Sequence, residues 1–239
     1  MIEWMLAPID ATRAHDVGPH LSWHARIMVV AWGGLVPIGI LSARYFKIWP
    51  GQHWPAQVDN QNWWVIHRTC QYSAAVLMCV GLWMILNAPP LTIAPGPHAL
   101  LGWSVLCLAL VQVSSGLLRG TKGGPPPDAG AAPEPGDHYD MTVHRRIFEY
   151  VHKFIGYVAL LLSVAAILTG LYQANAPRWM PLVLSIWWVI LGIAFVTFQQ
   201  RGMTVDTYAA IWGPDARHPG NRRRPIGIGV NRRGRERRE

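Results

Sequence analysis

The sequence is poor in charged residues and in cysteine. Charged side chains make up 14% of its 239 residues and hydrophobic side chains make up 51%, whereas roughly a quarter of the residues in a typical soluble domain are charged. This composition indicates a small polytopic membrane protein and argues against a soluble domain. The three cysteines all lie within apolar stretches, so we expect small core residues and no disulfide framework: Cys70, Cys79 and Cys107.

Several chemical motifs are also absent. The sequence contains no C-x-x-C-H for covalent haem attachment and no C-x-x-C pair for an iron–sulfur cluster or a thiol relay. It has no P-loop, G-x-G-x-x-G or nucleophile elbow, so nucleotide binding and hydrolysis have no support. Apart from Glu149, no acidic residue lies within a long apolar stretch. A transporter that uses a relay of carboxylates is therefore poorly supported.

Five apolar stretches are each long enough to cross a bilayer, at 22–46, 62–87, 97–118, 145–172 and 180–200. We therefore expect an all-α integral membrane protein with five transmembrane helices. No cleavable signal peptide is expected, because acidic residues interrupt the N-terminus and no basic region precedes an apolar run. The predicted domains are an N-terminal segment, a transmembrane domain and an Arg-rich tail, at 1–21, 22–200 and 201–239.

The connections between the spans are polar or rich in proline and glycine. Composition predicts that the long loop 120–140 is a flexible linker without a core of its own, and that the tail 201–239 is disordered. Eighteen Lys and Arg residues fall on the face that holds this loop and the C-terminus, and three fall on the other face. The distribution predicts a cytoplasmic C-terminus and a periplasmic N-terminus. Beside a bilayer, the arginine tail favours contact with anionic lipid headgroups over nucleic acid.

Four histidines stand near the starts of the first four spans: His24, His67, His98 and His152. Because successive spans run in opposite directions, His24 is expected to meet His98 at the outer side and His67 to meet His152 at the inner side. Two pairs at two depths are what two bis-histidine haems require, with irons on the order of 15–20 Å apart. A single such histidine is as well explained by a hydrogen-bonded core residue or a proton relay. Four at matched depths favour ligation.

The last two of these histidines belong to a short internal repeat of one histidine and two glycines, which we call the echo. His98, Gly102 and Gly116 have the same offsets as His152, Gly156 and Gly170. A glycine one turn after each histidine leaves room for a porphyrin. Flanking cations are candidate haem propionate partners or equally well topology signals: Arg68, Arg145, Arg146 and Lys153 at the inner side and Arg26 at the outer side. The other histidines lie in loops or termini, among them His53, His138 and His218, or nearer water, which describes His20 and His144.

Longer motifs extend this pattern. The stretches WHARIMVVAWGGLVPIGILSARYFK and WWVIHRTCQ, the Q-x-x-S-G-x-x-R motif from Gln112 to Arg119, and R-x-x-E-x-x-H-x-x-x-G from Arg146 to Gly156 resemble the cytochrome b561 domain, especially the form related to ferric-chelate reductases. The resemblance covers roughly 22–200. It implies a four-helix haem-binding bundle within the five spans, with two haem b groups held by His24, His98, His67 and His152.

The resemblance also implies a function. Family members carry electrons across a membrane, commonly from ascorbate inside to monodehydroascorbate or ferric iron outside, and Arg44 and Lys47 match the basic residues near which the reductant is thought to bind. Eukaryotic ascorbate-dependent members have six spans, so the five spans here favour a bacterial inner-membrane form in which a quinol could replace ascorbate. We therefore expect a transmembrane oxidoreductase of the ferric or monodehydroascorbate reductase type.

Two other functions stay open. One is a haem-bearing anchor subunit that passes electrons between the quinone pool and a separate redox partner protein, and the other is a transporter or scaffold with structural or metal-binding histidines. Haem content distinguishes a transporter or scaffold from the two cytochrome functions. Reduction by ascorbate or by quinol distinguishes the transmembrane oxidoreductase from the anchor subunit. The expected partners are membrane lipid, a small-molecule donor and acceptor, a redox partner and a second copy in a homodimer. Nucleic acid is not expected.

Overall fold

The computed structural model describes residues 1–89, 96–126 and 131–231. Its five long apolar helices are α1 to α5, at Pro19–Tyr45, Asn62–Leu86, Pro97–Leu117, Val143–Gln173 and Trp179–Gln200. Each predicted span coincides with one helix almost residue for residue, and the described residues contain no β-strand. The prediction of an all-α integral membrane protein with five spans is confirmed.

These helices expose apolar side chains over most of their length. On α5, Ile186, Val189 and Ile193 are each more than half exposed. A soluble protein rarely leaves so large an apolar surface in water, whereas the hydrocarbon of a bilayer solvates it. Cys79 and Cys107 share this exposed surface, so the prediction that they are core residues is wrong. Their apolar neighbours are consistent equally with lipid contact and with a core, and the sequence does not distinguish the two.

Helix α1 is interrupted by a π-helical segment, Val29–Leu35. A π turn inserts one extra residue without ending the helix, and it weakens the local backbone hydrogen bonding. Trp187 of α5 supports this segment, because its indole Nε1–H donates to the carbonyl oxygen of Gly33 at 2.8 Å.

The chain divides into two compact units. Unit one comprises Met1–Ile38, Thr69–Leu110 and Gly156–Ala194, and unit two comprises Gly39–Arg68, Val111–Ile155 and Phe195–Glu239. In unit one, the N-terminal segment is tied to the loop between α4 and α5 by the buried Asn175, whose Nδ2 donates to the carbonyls of Asp10 and Arg13 while its Oδ1 accepts from the Asp10 amide. The segment before α1 therefore has defined contacts.

Unit two contains a folded layer built from the long loop and the tail. Its short helices are Asp137–Asp140, Thr207–Trp212 and the 3-10 turn Pro219–Arg222. Buried Tyr139, Met141, Tyr208 and Ile226 form its core, with Trp212 packed against them. Disorder of the tail is therefore wrong for residues 201–231, and the view of 120–140 as a flexible linker is wrong for its described parts. Residues 127–130 and 232–239 lie outside the described residues.

The reason for this error is physical. Neither the loop nor the tail has enough apolar residues to form a core alone. Together, two residues from the loop and two from the tail bury one another, and the hydroxyl of Tyr208 donates to the carbonyl of Tyr139 at 2.9 Å. Average composition does not reveal such a pairing of distant segments.

Candidate functional site

The structure brings together both of the predicted histidine pairs. In unit one, the rings of His24 and His98 have centroids 6.1 Å apart and planes at 84°. In unit two, the rings of His67 and His152 have centroids 6.5 Å apart and planes at 72°. These separations can be compared with what one metal ion would impose.

A metal–imidazole nitrogen bond is about 2.0–2.1 Å long, and the nitrogen lies roughly 1.1 Å from the ring centre, so two imidazoles on opposite sides of one metal have centroids about 6.3 Å apart. The observed values of 6.1 and 6.5 Å lie on either side of this distance. Each pair therefore has room for one metal atom between its rings.

The second nitrogen of each ring is already engaged. Nδ1 lies 2.8 Å from the Gly81 carbonyl in His24, 3.0 Å from the Gly39 carbonyl in His67 and 2.9 Å from the Ala166 carbonyl in His98. A carbonyl oxygen only accepts, so Nδ1 carries the proton and Nε2 keeps its lone pair. This is the tautomer in which histidine binds a metal, with a backbone carbonyl fixing the ring orientation.

His152 reaches the same state through a hydroxyl. Its Nδ1 lies 3.0 Å from Ser115 Oγ, and that hydroxyl donates its hydrogen to the Gln112 carbonyl at 3.0 Å. The oxygen is thus left to accept from Nδ1, and Nε2 of His152 is again unprotonated. All four histidines consequently present a free Nε2.

The acceptors follow one register rule on the paired helices α1 and α2. Gly81, which accepts from His24, lies fourteen positions after His67, and Gly39, which accepts from His67, lies fifteen positions after His24. Fourteen positions make about 3.9 turns of α-helix and return to the same face. The π segment Val29–Leu35 lies within the longer interval, so it accommodates the extra residue.

Helices α3 and α4 repeat the rule. Ala166 lies fourteen positions after His152, and Gln112, reached through Ser115, lies fourteen positions after His98. The glycines of the echo follow their histidines by eighteen positions, or about five turns. A side chain at Gly170 would stand 2.9 Å from the His98 ring, and one at Gly116 would stand 3.9 Å from the His152 ring.

Gly116 and Gly170 therefore each lie beside the histidine of the other helix. The offset is visible in the sequence, but the role of these two glycines is not, because their contacts cross between helices. Beside the other echo position, Gly102, a Cβ atom would meet nothing within 4 Å. The space one turn after His98 is thus clear, as the space beside a porphyrin must be.

Two histidines alone do not make a complete metal site. Among the residues that the structure describes, no group of three or more His, Cys, Asp or Glu side chains could hold a bare ion. A porphyrin supplies four nitrogens of its own and needs only the two axial ligands. The paired histidines therefore fit haem better than they fit a free metal ion.

Known proteins point to the same cofactor. The chain is 27% identical over 206 residues, or 83% of its length, to a cytochrome b561, DM13 and DOMON domain-containing protein of Arabidopsis thaliana. It is 27% identical over 153 residues to ferric-chelate reductase 1 of Homo sapiens and 25% identical over 211 residues to a putative ferric-chelate reductase 1 homolog of Drosophila melanogaster. These similarities support a cytochrome b561-like family for the chain.

The chain matches only one part of these larger proteins. It covers 20%, 22% and 29% of the plant, human and fly relatives. No family model matches the chain, and no solved structure matches it.

The candidate propionate partners behave differently from one another. Arg146 has a buried Nε with no hydrogen-bond partner among the described residues, and such a donor calls for an acceptor. Arg68 is exposed, with its guanidinium 6.0 Å from the Trp64 ring, which in turn lies 6.1 Å from the ring of His67. Arg68 therefore lies near His67 through Trp64, and Arg146 keeps a buried donor that an acidic group could accept from.

The other cations predicted for this role already have partners. Arg145 and Lys153 both pair with Glu149, at 3.1 and 2.8 Å, and in unit one the guanidinium of Arg26 lies over Trp23 at 5.3 Å. The ion pairs explain the single acid in the spans, because a buried carboxylate with two cations on it is compensated. Glu149 therefore has a structural role as the partner of two cations.

Arg44 and Lys47, the predicted reductant-binding residues, are covered. Arg44 Nη2 donates to Gln199 Oε1 and to the Ile228 carbonyl, both at 2.8 Å. Lys47 is only 6% exposed, and its Nζ donates to the Val205 carbonyl at 3.0 Å. Burial, followed by repulsion from Lys153, lowers the pKa of Lys47 to about 7. The implied role of Arg44 and Lys47 in binding a reductant stays a prediction.

Sequence reasoning missed His138. This residue is 3% exposed, its Nδ1 accepts from Trp212 Nε1–H at 3.2 Å, and its Nε2 lies 3.8 Å from Glu149 Oε1. Burial, with repulsion from Arg145 next, lowers the pKa of His138 to about 3. Its position in a Pro- and Gly-rich loop suggested exposure, and only the aromatic residues nearby in sequence and in the tail signalled a buried layer.

Proposed function

We propose that this chain is a transmembrane b-type cytochrome that carries electrons across the membrane through two haem b groups, one at each histidine pair. The strongest support is that all four histidines have the same tautomer, with Nδ1–H donating a hydrogen bond and Nε2 unprotonated. They form two pairs whose ring centroids are spaced for one metal atom. Haem iron, when bound, alternates between ferric and ferrous states and so accepts and passes on one electron.

The residues of the chain have separate tasks in this proposal. His24 and His98 hold one iron, and His67 and His152 hold the other. The hydrogen bonds from Nδ1 fix the ring orientation and raise the basicity of Nε2. Arg146 and Arg68 would donate to the acidic groups of a haem held at the second pair, and the apolar side chains of the spans keep water away from the sites.

The donor and acceptor follow from charge and from the relatives. We infer from the excess of Lys and Arg that the C-terminus and the second pair face the cytoplasm and the N-terminus faces the periplasm, in a bacterial inner membrane. Electrons then enter from a cytoplasmic reductant, which is ascorbate-like or a quinol. Relatives named ferric-chelate reductase support a ferric chelate as the outer acceptor, with a radical as the alternative.

One observation favours a second function. The folded layer of unit two covers Lys47, which restricts a water-soluble donor but leaves a quinol free to approach from the lipid. A haem-bearing anchor subunit that exchanges electrons with the quinone pool and a redox partner protein is the second candidate.

The test begins with cofactor content. The purified protein is expected to contain two haems per chain that acid acetone extracts, because the sequence has no C-x-x-C-H for covalent attachment. Stopped-flow reduction of the oxidised protein by ascorbate and by a short-chain quinol then identifies the donor. One haem per chain, or none, contradicts the paired sites, and rapid reduction by quinol alone favours the anchor subunit.

A further inference from the structure

A buried proline follows the π segment of α1. Pro37 stands four positions after Gly33, so it occupies the place whose amide would donate to the Gly33 carbonyl in an α-helix. Proline has no N–H, and its ring crowds the carbonyl four positions back. The helix widens at this point, since the Val36 amide donates to the Ala31 carbonyl, five positions earlier. Pro37 therefore explains why the helix is π-helical here and why the Gly33 carbonyl lacks its α-helical donor.

Trp187 of α5 brings a donor to that carbonyl. Its Nε1–H donates to the Gly33 oxygen at 2.8 Å. Trp187 lies near the middle of α5, away from the membrane edges where tryptophan is enriched. In the hydrocarbon an indole N–H needs a partner within the protein. Any free carbonyl would meet that need, but the one it uses is the carbonyl whose helical donor Pro37 removes. This match indicates that the proline and the tryptophan act together.

The π segment decides how the two ends of α1 are turned. Gly39 lies fifteen positions after His24, whereas the other three intervals from histidine to acceptor are fourteen positions. In an uninterrupted α-helix, the extra position would turn the Gly39 carbonyl by about 100° relative to His24. The same helix could then not direct His24 to its partner and present Gly39 to His67. The shape of this segment therefore controls a ligand of one pair and an acceptor of the other.

Helix α5 itself carries none of the four histidines, and none of its residues is fully buried. It can therefore act on the histidine pairs only through residues that contact other helices. The hydrogen bond from Trp187 is such a contact, and it reaches the segment of α1 on which the register depends.

We propose that Trp187 is a positioning residue for both histidine pairs. It holds the π segment Val29–Leu35 at the place that Pro37 dictates, and so it fixes the register of α1 between His24 and Gly39. The fifth helix thus contributes to cofactor binding although it supplies no ligand. This inference rests on the proposed function only where haem is used to detect the register.

The first experiment follows the π segment and needs no haem. Amide hydrogen exchange at Val36 is compared between the unmodified protein and Trp187→Phe, which keeps an aromatic ring but removes the donor. Interhelical hydrogen bonds in membranes change an equilibrium by roughly three- to thirtyfold, so exchange at Val36 should be faster by that factor. Trp188→Phe is the matched control, because the indole Nε1 of Trp188 lies 3.9 Å from where a Cβ of Gly33 would stand but is not the donor. Unchanged exchange in Trp187→Phe, or an equal increase in Trp188→Phe, overturns the proposal.

The second experiment detects the register through haem. In Trp187→Phe, transfer of haem to a scavenging apoprotein should be roughly three- to thirtyfold faster from at least one pair. The ferric electron paramagnetic resonance signal of that haem should also shift, because its g values depend on the orientation of the axial imidazoles. Trp188→Phe should change neither measurement. Haem transfer and g values that are unchanged in Trp187→Phe overturn the proposal.

The third experiment removes the need for Trp187. Deletion of Gly34 together with Pro37→Ala gives a straightened α1, in which Gly39 lies fourteen positions after His24 and the Gly33 carbonyl regains a helical donor. This variant should keep both haems, and adding Trp187→Phe to it should change haem transfer and Val36 exchange less than twofold. A role of Trp187 in packing alone predicts the same acceleration in both backgrounds. That result, or loss of haem from the straightened helix itself, overturns the proposal.

Failure of the proposed function has a different signature. If the purified chain binds no haem, or dithionite leaves its spectrum unchanged, the cytochrome assignment fails while exchange at Val36 still decides whether Trp187 holds the π segment. If two haems are present and reducible but Trp187→Phe leaves exchange and haem transfer unaffected, the positioning role fails and the cytochrome assignment stands.

Discussion

The two units solve the same coordination problem in different surroundings. In unit one, His24 and His98 both donate Nδ1–H to backbone carbonyls, and the helical sequence of this unit carries no acidic side chain within the spans. In unit two, His67 uses a carbonyl but His152 uses the Ser115 hydroxyl, and the ion pairs of Glu149 lie one helical turn from His152. The ring separations are nevertheless nearly equal, at 6.1 and 6.5 Å.

Two kinds of feature surround each histidine pair: the helix register that brings the rings together, and the polar groups around them. Helix register relates the histidines to their acceptors, at fourteen positions on α2, α3 and α4 and fifteen on α1. The ion pairs of Glu149, a hydroxyl in direct contact with a histidine ring and the folded layer lie in unit two, and we expect them to tune that pair. We therefore expect changes in register to affect either unit and changes in polar groups to affect unit two.

The largest expected effect comes from the histidines themselves. If each pair holds one haem, as proposed, His24→Ala or His98→Ala should each remove the haem of unit one, and His67→Ala or His152→Ala should each remove that of unit two. Haem-to-protein ratio and the reduced-minus-oxidised spectrum measure the loss. The exposed His53 provides the control, and His53→Ala should retain both haems. The pairing is wrong if His67→Ala and His98→Ala give one and the same spectral loss while His67→Ala and His152→Ala differ.

A single-residue deletion should distinguish α1 from α2. Removal of Gly34 from the π segment places Gly39 fourteen positions after His24, the spacing that α2 already uses, so both haems should remain. Removal of Val76 shortens the interval from His67 to Gly81 by one position and turns the acceptor of His24 by about 100°. That deletion should lose at least the haem of unit one, as measured by haem content. Equal loss from the two deletions would refute the register rule.

The echoed glycines should not tolerate substitution equally. Gly170→Ala brings a Cβ to 2.9 Å from the His98 ring, and this forces a shift, whereas Gly116→Ala makes an ordinary 3.9 Å contact with His152. We expect reduced haem occupancy in unit one for Gly170→Ala and normal occupancy in unit two for Gly116→Ala. On α5, Gly192→Ala meets nothing within 4 Å and serves as the control. The reverse order of sensitivity would contradict these contacts.

Ser115 offers a smaller change that is confined to unit two. Ser115→Ala leaves Nδ1–H of His152 without its acceptor, and loss of such a partner typically lowers cofactor affinity roughly 10–100-fold. Haem transfer to a scavenging apoprotein should be faster for the haem of unit two and unchanged for that of unit one. Ser115→Thr keeps the hydroxyl and should restore the rate. If Thr behaves like Ala, the hydroxyl is not what holds His152.

A further expected effect is a pH dependence that His138 confers on unit two. Because the pKa of His138 is lowered to about 3 by burial in the folded state, the unfolded chain binds the extra proton between about pH 6.5 and 3. Stability should therefore fall with falling pH in this window, by up to about 1.4 kcal/mol per pH unit. Thermal release of the unit-two haem, measured from pH 7 to 4, should depend less on pH in His138→Gln. The same profile in both proteins would exclude His138.

The sequence predicted the five helices and both histidine pairs because these depend on local properties. Apolar runs long enough to cross a bilayer identify the spans. Because successive helices run in opposite directions, the sequence also indicates which histidines share a depth. The surroundings of the charged residues could not be predicted in this way. That Lys47 is covered by Val205, and that Tyr139 packs with Tyr208, depends on contacts between segments far apart in the chain. Composition describes each segment alone, and so it predicted a disordered tail.

The glycine echo lies between these cases. Its offset of eighteen positions is visible in the sequence, and five turns return to one face of a helix. The role of these glycines becomes clear only when the neighbouring helix is known, because a Cβ at Gly170 would contact His98 and one at Gly116 would contact His152. The π segment in α1 is similar, because a spacing of fifteen positions in place of fourteen has meaning only after His67 has been matched with Gly39.

The exchange of hydrogen bonds between helices also constrains how the protein is made. His24 pairs with His98 of α3, but its proton goes to Gly81 of α2, and that of His98 goes to Ala166 of α4. The second pair likewise draws on α1 through Gly39 and on α3 through Ser115. Neither site is complete in a nascent chain that ends before α4 has entered the membrane. Cofactor capture therefore follows insertion of the fourth helix, and a ribosome stalled after α3 would leave a chain with no competent site.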